Sequence, residues 1–395
     1  MIYQTSPLGE LARFGLVIAP DWARPVCAHL VYTHGECVRT GAIEYRHTVL
    51  GWYSFNDVER YFYDVTDVDG TPSTTERANL SFSKGDRDIY LAFLRKTVFP
   101  SVELSLALTI GYGAVVASRL RDEYSFGTIL VNLCGISSTG KSTAEMLLCS
   151  PFMCPEISNR DTGLCFTANS TQNAIFAKID GIHGVPFVID DITTNPHINL
   201  ASFVYTLADG TPKSRCNGDG KLHDIGPGWS GVAVTSSEMP ILDRADQHQG
   251  LKVRVLHTQG ITWTQSAEEA EEVKRVVRKN YGFTGKEFAE FVQGIPMDEL
   301  CERYEKSREA VERMMAKKDN LTERLGSRYA VFHLTAELLN AVFGYGISAD
   351  AVTERFVRCE QETFDERDNA TKAFDLVVDF VSSKGQHFDT EYHME

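Results

Sequence analysis

No CxxC pair occurs in this sequence, and its nine cysteines are scattered and odd in number. That excludes a zinc ribbon and a disulfide framework, and leaves the expectation of reduced thiols in a cytoplasmic protein. An excess of positive charge is missing too: 39 Lys and Arg stand against 54 Asp and Glu, for a formal net charge of −15. That opposes wrapping nucleic acid over the whole surface, and does not exclude a small basic loop that grips a phosphate backbone. The longest apolar run, LSLALTIGYGAVVASRL at 104–120, is too short and too broken by Ser, Thr and Gly for a membrane span. It reads as a buried helix. The first residues lack a basic stretch followed by an apolar one, so no signal peptide is expected. Internal repeats and low-complexity tracts are absent as well. What is present is an ordinary globular composition, 43% hydrophobic and 24% charged, in a chain long enough for two or three domains.

Four regions are expected. Residues 1–85 read as β-rich, because AHLVYTHGECVRTGAIEYRHTVL mixes β-branched, aromatic and polar residues around a Gly-containing turn. DVDGTPSTTER, at 67–77, has loop chemistry. Residues 86–125 turn helical, with apolar residues three and four apart. From 126 to 265 short apolar strands, TILVNLC, GVPFVIDD and GVAVTSSE, alternate with helical stretches, which suggests a parallel sheet with helices packed on it. Residues 266–395 read as a helical domain that opens on Ser266 as an N-cap.

GISSTGKS, at 135–142, fits G-x-x-x-x-G-K-[ST] without a mismatch, after a strand and before a helix. Gly135 and Gly140 allow the sharp turn. The backbone N–H groups around Ser137, Ser138, Thr139 and Thr143, with the helix N-terminus, suit the phosphates of ATP. Lys141 suits the β- and γ-phosphates, and the Ser142 hydroxyl suits Mg²⁺. VPFVIDD supplies the partner acids: Asp190 to hold Mg²⁺ through water, Asp191 to orient or deprotonate the attacking water. Two adjacent acids favour ATP over a GTPase arrangement. In a parallel sheet the carboxyl ends of neighbouring strands lie on the ligand side, so Thr235, Ser236, Ser237 or Glu238 also qualifies, with Ser236 preferred.

With these elements in order the chain resembles domain-of-unknown-function family 927, a group of P-loop ATPases. The likeness is carried by FGTILVNLCGISSTGKSTAEMLL, FTANSTQNAIFAKIDGIHGVPFVIDDI, LADGTPKSRCNGDGKL, WSGVAVTSSE, GLKVRVL and RYAVFHLTAELLNAVFGYGI, roughly residues 86–365. It implies a RecA- or AAA-like core related to superfamily 3 helicases, and assembly into homo-oligomeric rings, often hexamers, that act on nucleic acid or remodel partners. Two residues depart from the family pattern. Asp191 stands where glutamate is usual, one methylene shorter, which suggests slow or switch-like turnover. Ser142 replaces the commoner threonine, which either hydroxyl tolerates.

An ATPase that fires only when assembled takes a cation from its neighbour. Arg254, in GLKVRVL, is the first choice, with Lys213 and Arg215 as rivals. The same segment, DGTPKSRCNGDGKLHD, places Lys213, Arg215 and Lys221 among turn formers, as a pore hairpin that tracks a phosphate backbone or as a solvated hairpin. Three readings result: a helicase- or translocase-like motor, an ATP-driven regulator or remodeller of a partner protein in phage defence or on a mobile element, and a non-hydrolysing scaffold.

Overall fold

The structure, a computed structural model, describes residues 19–42, 45–55, 58–63, 65–68, 71–75, 80, 83–157, 163–212, 226–241, 249–315, 320–362 and 369–383. Early in the chain run α1 (Ala23–Thr40) and the strands β1 (Tyr45–His47), β2 (Leu50–Phe55), β3 (Val58–Phe62), β4 (Val65–Val68) and β5 (Thr71–Thr75). Helices α2 (Arg87–Phe93) and α3 (Val102–Arg119) follow. The middle alternates: β6 (Ile129–Cys134), α4 (Lys141–Cys149), β7 (Cys165–Thr167), α5 (Gln172–Ile179), β8 (Ile182–His183), β9 (Phe187–Asp190), α6 (Leu200–Asp209), β10 (Trp229–Ser230), β11 (Val232–Ser237) and β12 (Val255–His257). The last third is helical: α7 (Ala267–Lys279), α8 (Thr284–Gln293), α9 (Met297–Met314), α10 (Asn320–Phe343), α11 (Ala349–Glu362) and α12 (Asn369–Ser383).

The chain divides into two compact units, Met1–His47 with Val65–Thr74, and Thr48–Asp64 with Thr75–Glu395. In the first, α1 occupies much of the stretch whose composition suggests a hairpin. Gly41, one of the two glycines in that stretch, closes this helix in the left-handed conformation (φ 68°), its N–H bonded back to the Val38 and Cys37 carbonyls. Another stretch that reads as loop is a hairpin, with β4 and β5 antiparallel and Val68 opposite Thr71.

The second unit is built on a five-stranded parallel sheet of order β12-β6-β11-β9-β7. β6 and β11 are buried along their whole length, which is why they read as continuous apolar runs. α3 is buried from Leu104 to Ser118 and packs on α4, α10, α11 and β11. A helix apolar all round belongs inside a protein, and among the described residues no helix is long and apolar enough to cross a membrane. Gly111 permits the closest approach of α3 to α4: a Cβ there would lie 2.1 Å from the Leu148 carbonyl oxygen. A smaller sheet, β10-β8-β2-β3, ties the β2–β3 hairpin to this unit, with Leu50 paired to Ile182. Trp52 anchors it by donating from Nε1 to the Val115 carbonyl at 2.9 Å.

His183, in β8, is buried, with Nδ1 2.9 Å from Ser230 Oγ. Burial, then the charge of Arg121, pulls its pKa down to about 4 from the ordinary 6.5. Between those values the unfolded chain binds the extra proton and the folded one does not, so stability falls as pH drops from 6.5 to 4. The loss is up to about 3 kcal/mol. Urea melts from pH 7.5 to 4.5 should show this slope, and His183→Gln should flatten it. An unchanged slope in the variant would refute the assignment.

Candidate nucleotide-binding site

Parallel pairing brings the ends of β6, β9 and β11 to one edge of the sheet. β11 lies between the strand that feeds the glycine loop and the strand that carries the acids. Its register pairs Ser237 with Cys134 and Thr235 with Ile189, which sets Ser236 beside Asp190. Sequence spacing places the acid strand after the loop but does not order the strands in space.

The loop turns through Ser138 (φ 71°) and Gly140 (φ 85°). A Cβ on Gly140 would lie 2.6 Å from Thr264 Oγ1, so the second glycine is required by conformation and by space together. Trp263 N–H donates to the Thr139 carbonyl at 2.8 Å, which fastens the segment after β12 against the loop. Thr139 Oγ1 donates to the Ile136 carbonyl, and Ser137 Oγ donates to Glu238 Oε1 at 2.8 Å. Lys141 Nζ donates to the carbonyls of Gly135 and Ile136, the latter at 3.0 Å, so its ammonium sits inside the curve of the loop. α4 starts at Lys141, and its free N–H groups face the same space.

A cavity of about 740 Å³ opens there, within the range of small-molecule sites. Of the residues singled out from sequence, Ser137, Ser138, Gly140, Lys141, Ser142, Thr143, Asp190, Asp191, Ser236, Ser237 and Glu238 line it. Gly135 and Thr139 do not; they shape the loop from behind. Ser142 is exposed to the cavity, whereas Thr143 is turned largely into the core.

The acid turn is held by one hydroxyl. Ser236 Oγ donates to Asp190 Oδ1 at 2.6 Å and accepts the Asp191 N–H at 2.8 Å. Asp191 has left-handed backbone (φ 56°, ψ 53°), a conformation that aspartate and asparagine tolerate better than most residues. Ser236→Ala leaves the Asp190 oxygen and the Asp191 N–H without this partner. It should cost about 1–2 kcal/mol in a urea melt. Wild-type stability in the variant would show that the hydroxyl does not hold the turn.

Four residues escaped sequence reading. Asn132, a lone polar residue in the apolar β6, is fully buried. It donates from Nδ2 to Thr235 Oγ1 at 3.1 Å and Ser237 Oγ at 3.0 Å, while Oδ1 accepts from Ser237 Oγ and lies 3.1 Å from His257 Nδ1. This network stitches β6, β11 and β12 beneath the loop and occupies Thr235 and Ser237. Glu145, one turn into α4, is fully buried with no hydrogen bond to either carboxylate oxygen. Burial, then the charge of Asp190, pushes its carboxyl well above the usual range. Lys274 and Glu271 of α7, paired at 3.1 Å, also line the cavity.

The donor set suits Mg²⁺. An exposed serine hydroxyl and a carboxylate oriented by a neighbouring hydroxyl are hard oxygen ligands, few enough to leave most positions to water and phosphate. Among the described residues no group of three or more His, Cys, Asp or Glu could hold a metal by itself.

Arg254 lies elsewhere. It precedes β12, whose Val255 pairs with Leu130 near the start of β6, and so belongs to the amino edge of the sheet, opposite the loop. Lys213, Arg215 and Lys221 lie outside the described residues.

The sequence profile of the family described as domain of unknown function (DUF927) matches residues 5–225. The match therefore includes nearly all of the first 85 residues, which the resemblance did not reach, and stops short of residue 365. No curated protein matches. A solved structure titled "SCCmec type IV Cch - active helicase" is similar at 24% identity and TM-score 0.78, covering 97% of this chain and 72% of that one. At that identity the likeness shows the fold alone: an α/β core on a parallel sheet with a helical C-terminal part. The apo C-terminal region of NrS-1 gives a TM-score of 0.25 at 11% identity, covering 76% of this chain and 79% of that one, and carries no argument.

Proposed function

This chain belongs to the family described as domain of unknown function (DUF927), and we propose that it is a Mg²⁺-dependent ATPase of the ring-forming type, working as a helicase- or translocase-like motor on nucleic acid. One observation carries the reading. Lys141, Ser142, Asp190, Asp191 and Ser236, from the ends of three adjacent parallel strands, line a single cavity at the N-terminus of α4. The loop N–H groups and Lys141 bind and neutralise the phosphates. Ser142 and Asp190 would hold Mg²⁺, which supplies charge stabilisation on the phosphates. Asp191 orients the attacking water and accepts its proton, and Ser236 positions both acids. The motor reading also draws on the fold shared with a protein titled an active helicase.

The net charge of −15 favours a second reading, an ATP-driven regulator or remodeller of a partner protein. Phosphate release with Mg-ATP, measured alone and with single-stranded DNA, duplex DNA and RNA, separates the two. Stimulation by one nucleic acid supports the motor. Turnover that rises with protein concentration and ignores every nucleic acid supports the regulator. No turnover under any condition would refute both.

A further inference from the structure

At the opposite edge of the same sheet lies a second cavity, of about 620 Å³. Its walls come from Phe126 and Gly127 just before β6, Trp229 at the start of β10, the end of α6, Arg254 just before β12, and α10. Four arginines line it, Arg121, Arg254, Arg324 and Arg328, against two aspartates, Asp122 and Asp209. Arg121 already pairs with Asp122 at 2.9 Å. Three guanidinium groups then remain, and among the described residues that line the cavity the exposed Asp209 alone opposes them.

Those three are held differently. Arg254 is fixed: Nη1 donates to the Gly250 carbonyl at 2.7 Å, and the guanidinium stacks 4.5 Å over the Tyr205 ring. Arg324 and Arg328 lie four residues apart, on one face of α10. Among the described residues neither guanidinium has a hydrogen-bond or ion-pair partner, and Nη1 of Arg328 is buried without an acceptor. Burial, then repulsion by Arg254 and Arg324, pulls the Arg328 pKa down to about 10. An arginine that folding alone had placed would be paired; leaving a buried charged donor unsatisfied is costly.

The geometry points to a phosphate-binding site, in which Arg254, Arg324 and Arg328 take a multiply charged phosphoryl group. One carboxylate would leave most of the charge uncompensated. A phosphate offers several oxygens that guanidinium forks meet in bidentate pairs. The group is either the free polyphosphate of a nucleotide or the phosphodiester of a nucleic-acid backbone. The inference is independent of ATP hydrolysis, since no residue of the loop cavity takes part.

The test uses full-length Lys141→Ala, in which the main cradle is weakened, and inorganic tripolyphosphate as the probe. Calorimetry should show binding, reduced about ten-fold or more by Arg324→Gln and again by Arg328→Gln. Without anion, Arg328→Gln should raise the melting temperature, because it removes a repelled cation; a merely structural arginine would lower it. Arg324 is exposed, so its variant is expected to fold and keeps the test decisive. If single-stranded DNA displaces tripolyphosphate in an Arg324-dependent way, the site takes backbone phosphates; if not, it takes free polyphosphate. Absent binding, or binding indifferent to both substitutions, overturns the inference.

Discussion

Lys141→Ala is expected to lower ATP turnover about 10³-fold, the loss typical of removing a group aimed at charge that develops in the transition state. The structure explains why no neighbour can substitute. Lys141 is the lysine inside the curve of the loop, held there by the Gly135 and Ile136 carbonyls, so the ammonium is poised before nucleotide arrives. The cavity's other lysine, Lys274, approaches from α7 and is paired with Glu271. The side chain is only half-buried, so the melting temperature should move little. Phosphate release and a thermal melt on the same preparation check both halves. Turnover within ten-fold of wild type would sink the ATPase reading of this cavity.

Asp191→Asn should lower kcat about 10²- to 10³-fold and leave nucleotide affinity nearly unchanged, the pattern of a lost general base. Asparagine is the informative replacement because of the backbone. At φ 56° the left-handed conformation costs most residues about 1–2 kcal/mol, and asparagine is among the few that adopt it readily. The acid turn, its N–H still bonded to Ser236, therefore survives and only the base is lost. Asp191→Ala would mix the two effects. Fluorescent-nucleotide binding and kcat, measured side by side, check the prediction. A joint loss of affinity and rate would assign Asp191 to binding or folding.

The same backbone strain bears on the departure from the family pattern. Among the described residues only Ser125, Ser138 and Asp191 have positive φ without being glycine, and two of them line the cavity. Strain of this kind collects where a site over-determines its geometry. A glutamate at 191 would reach one methylene further but tolerate the turn less well, so the shorter side chain suits the backbone it sits on.

Local chemistry was legible. The glycine loop, its lysine and hydroxyl, the acid pair, the apolar strands and the buried character of 104–120 all follow from neighbours within a few positions. The Ser266 cap was legible for the same reason, and the structure shows its Oγ accepting the Glu269 N–H at 3.1 Å. Residues 23–40 were misread because β-branched and aromatic residues bias a composition toward strand without deciding it, and a glycine serves a turn and a helix end equally well.

What the sequence by itself determined is which residue types stand at the ends of which strands, hence the chemistry the site can perform. The tertiary structure decided which strands are neighbours. Inserting β11 between β6 and β9 turned Ser236 into the hydroxyl that binds the acid turn, and made Asn132 the buried link of three strands. It also gathered Arg254 with Arg324 and Arg328, seventy and more positions away, at the far edge of the sheet. Pairing between distant strands costs chain entropy that only the completed core repays, so its outcome is a property of the whole chain and is not written in any local run of residues.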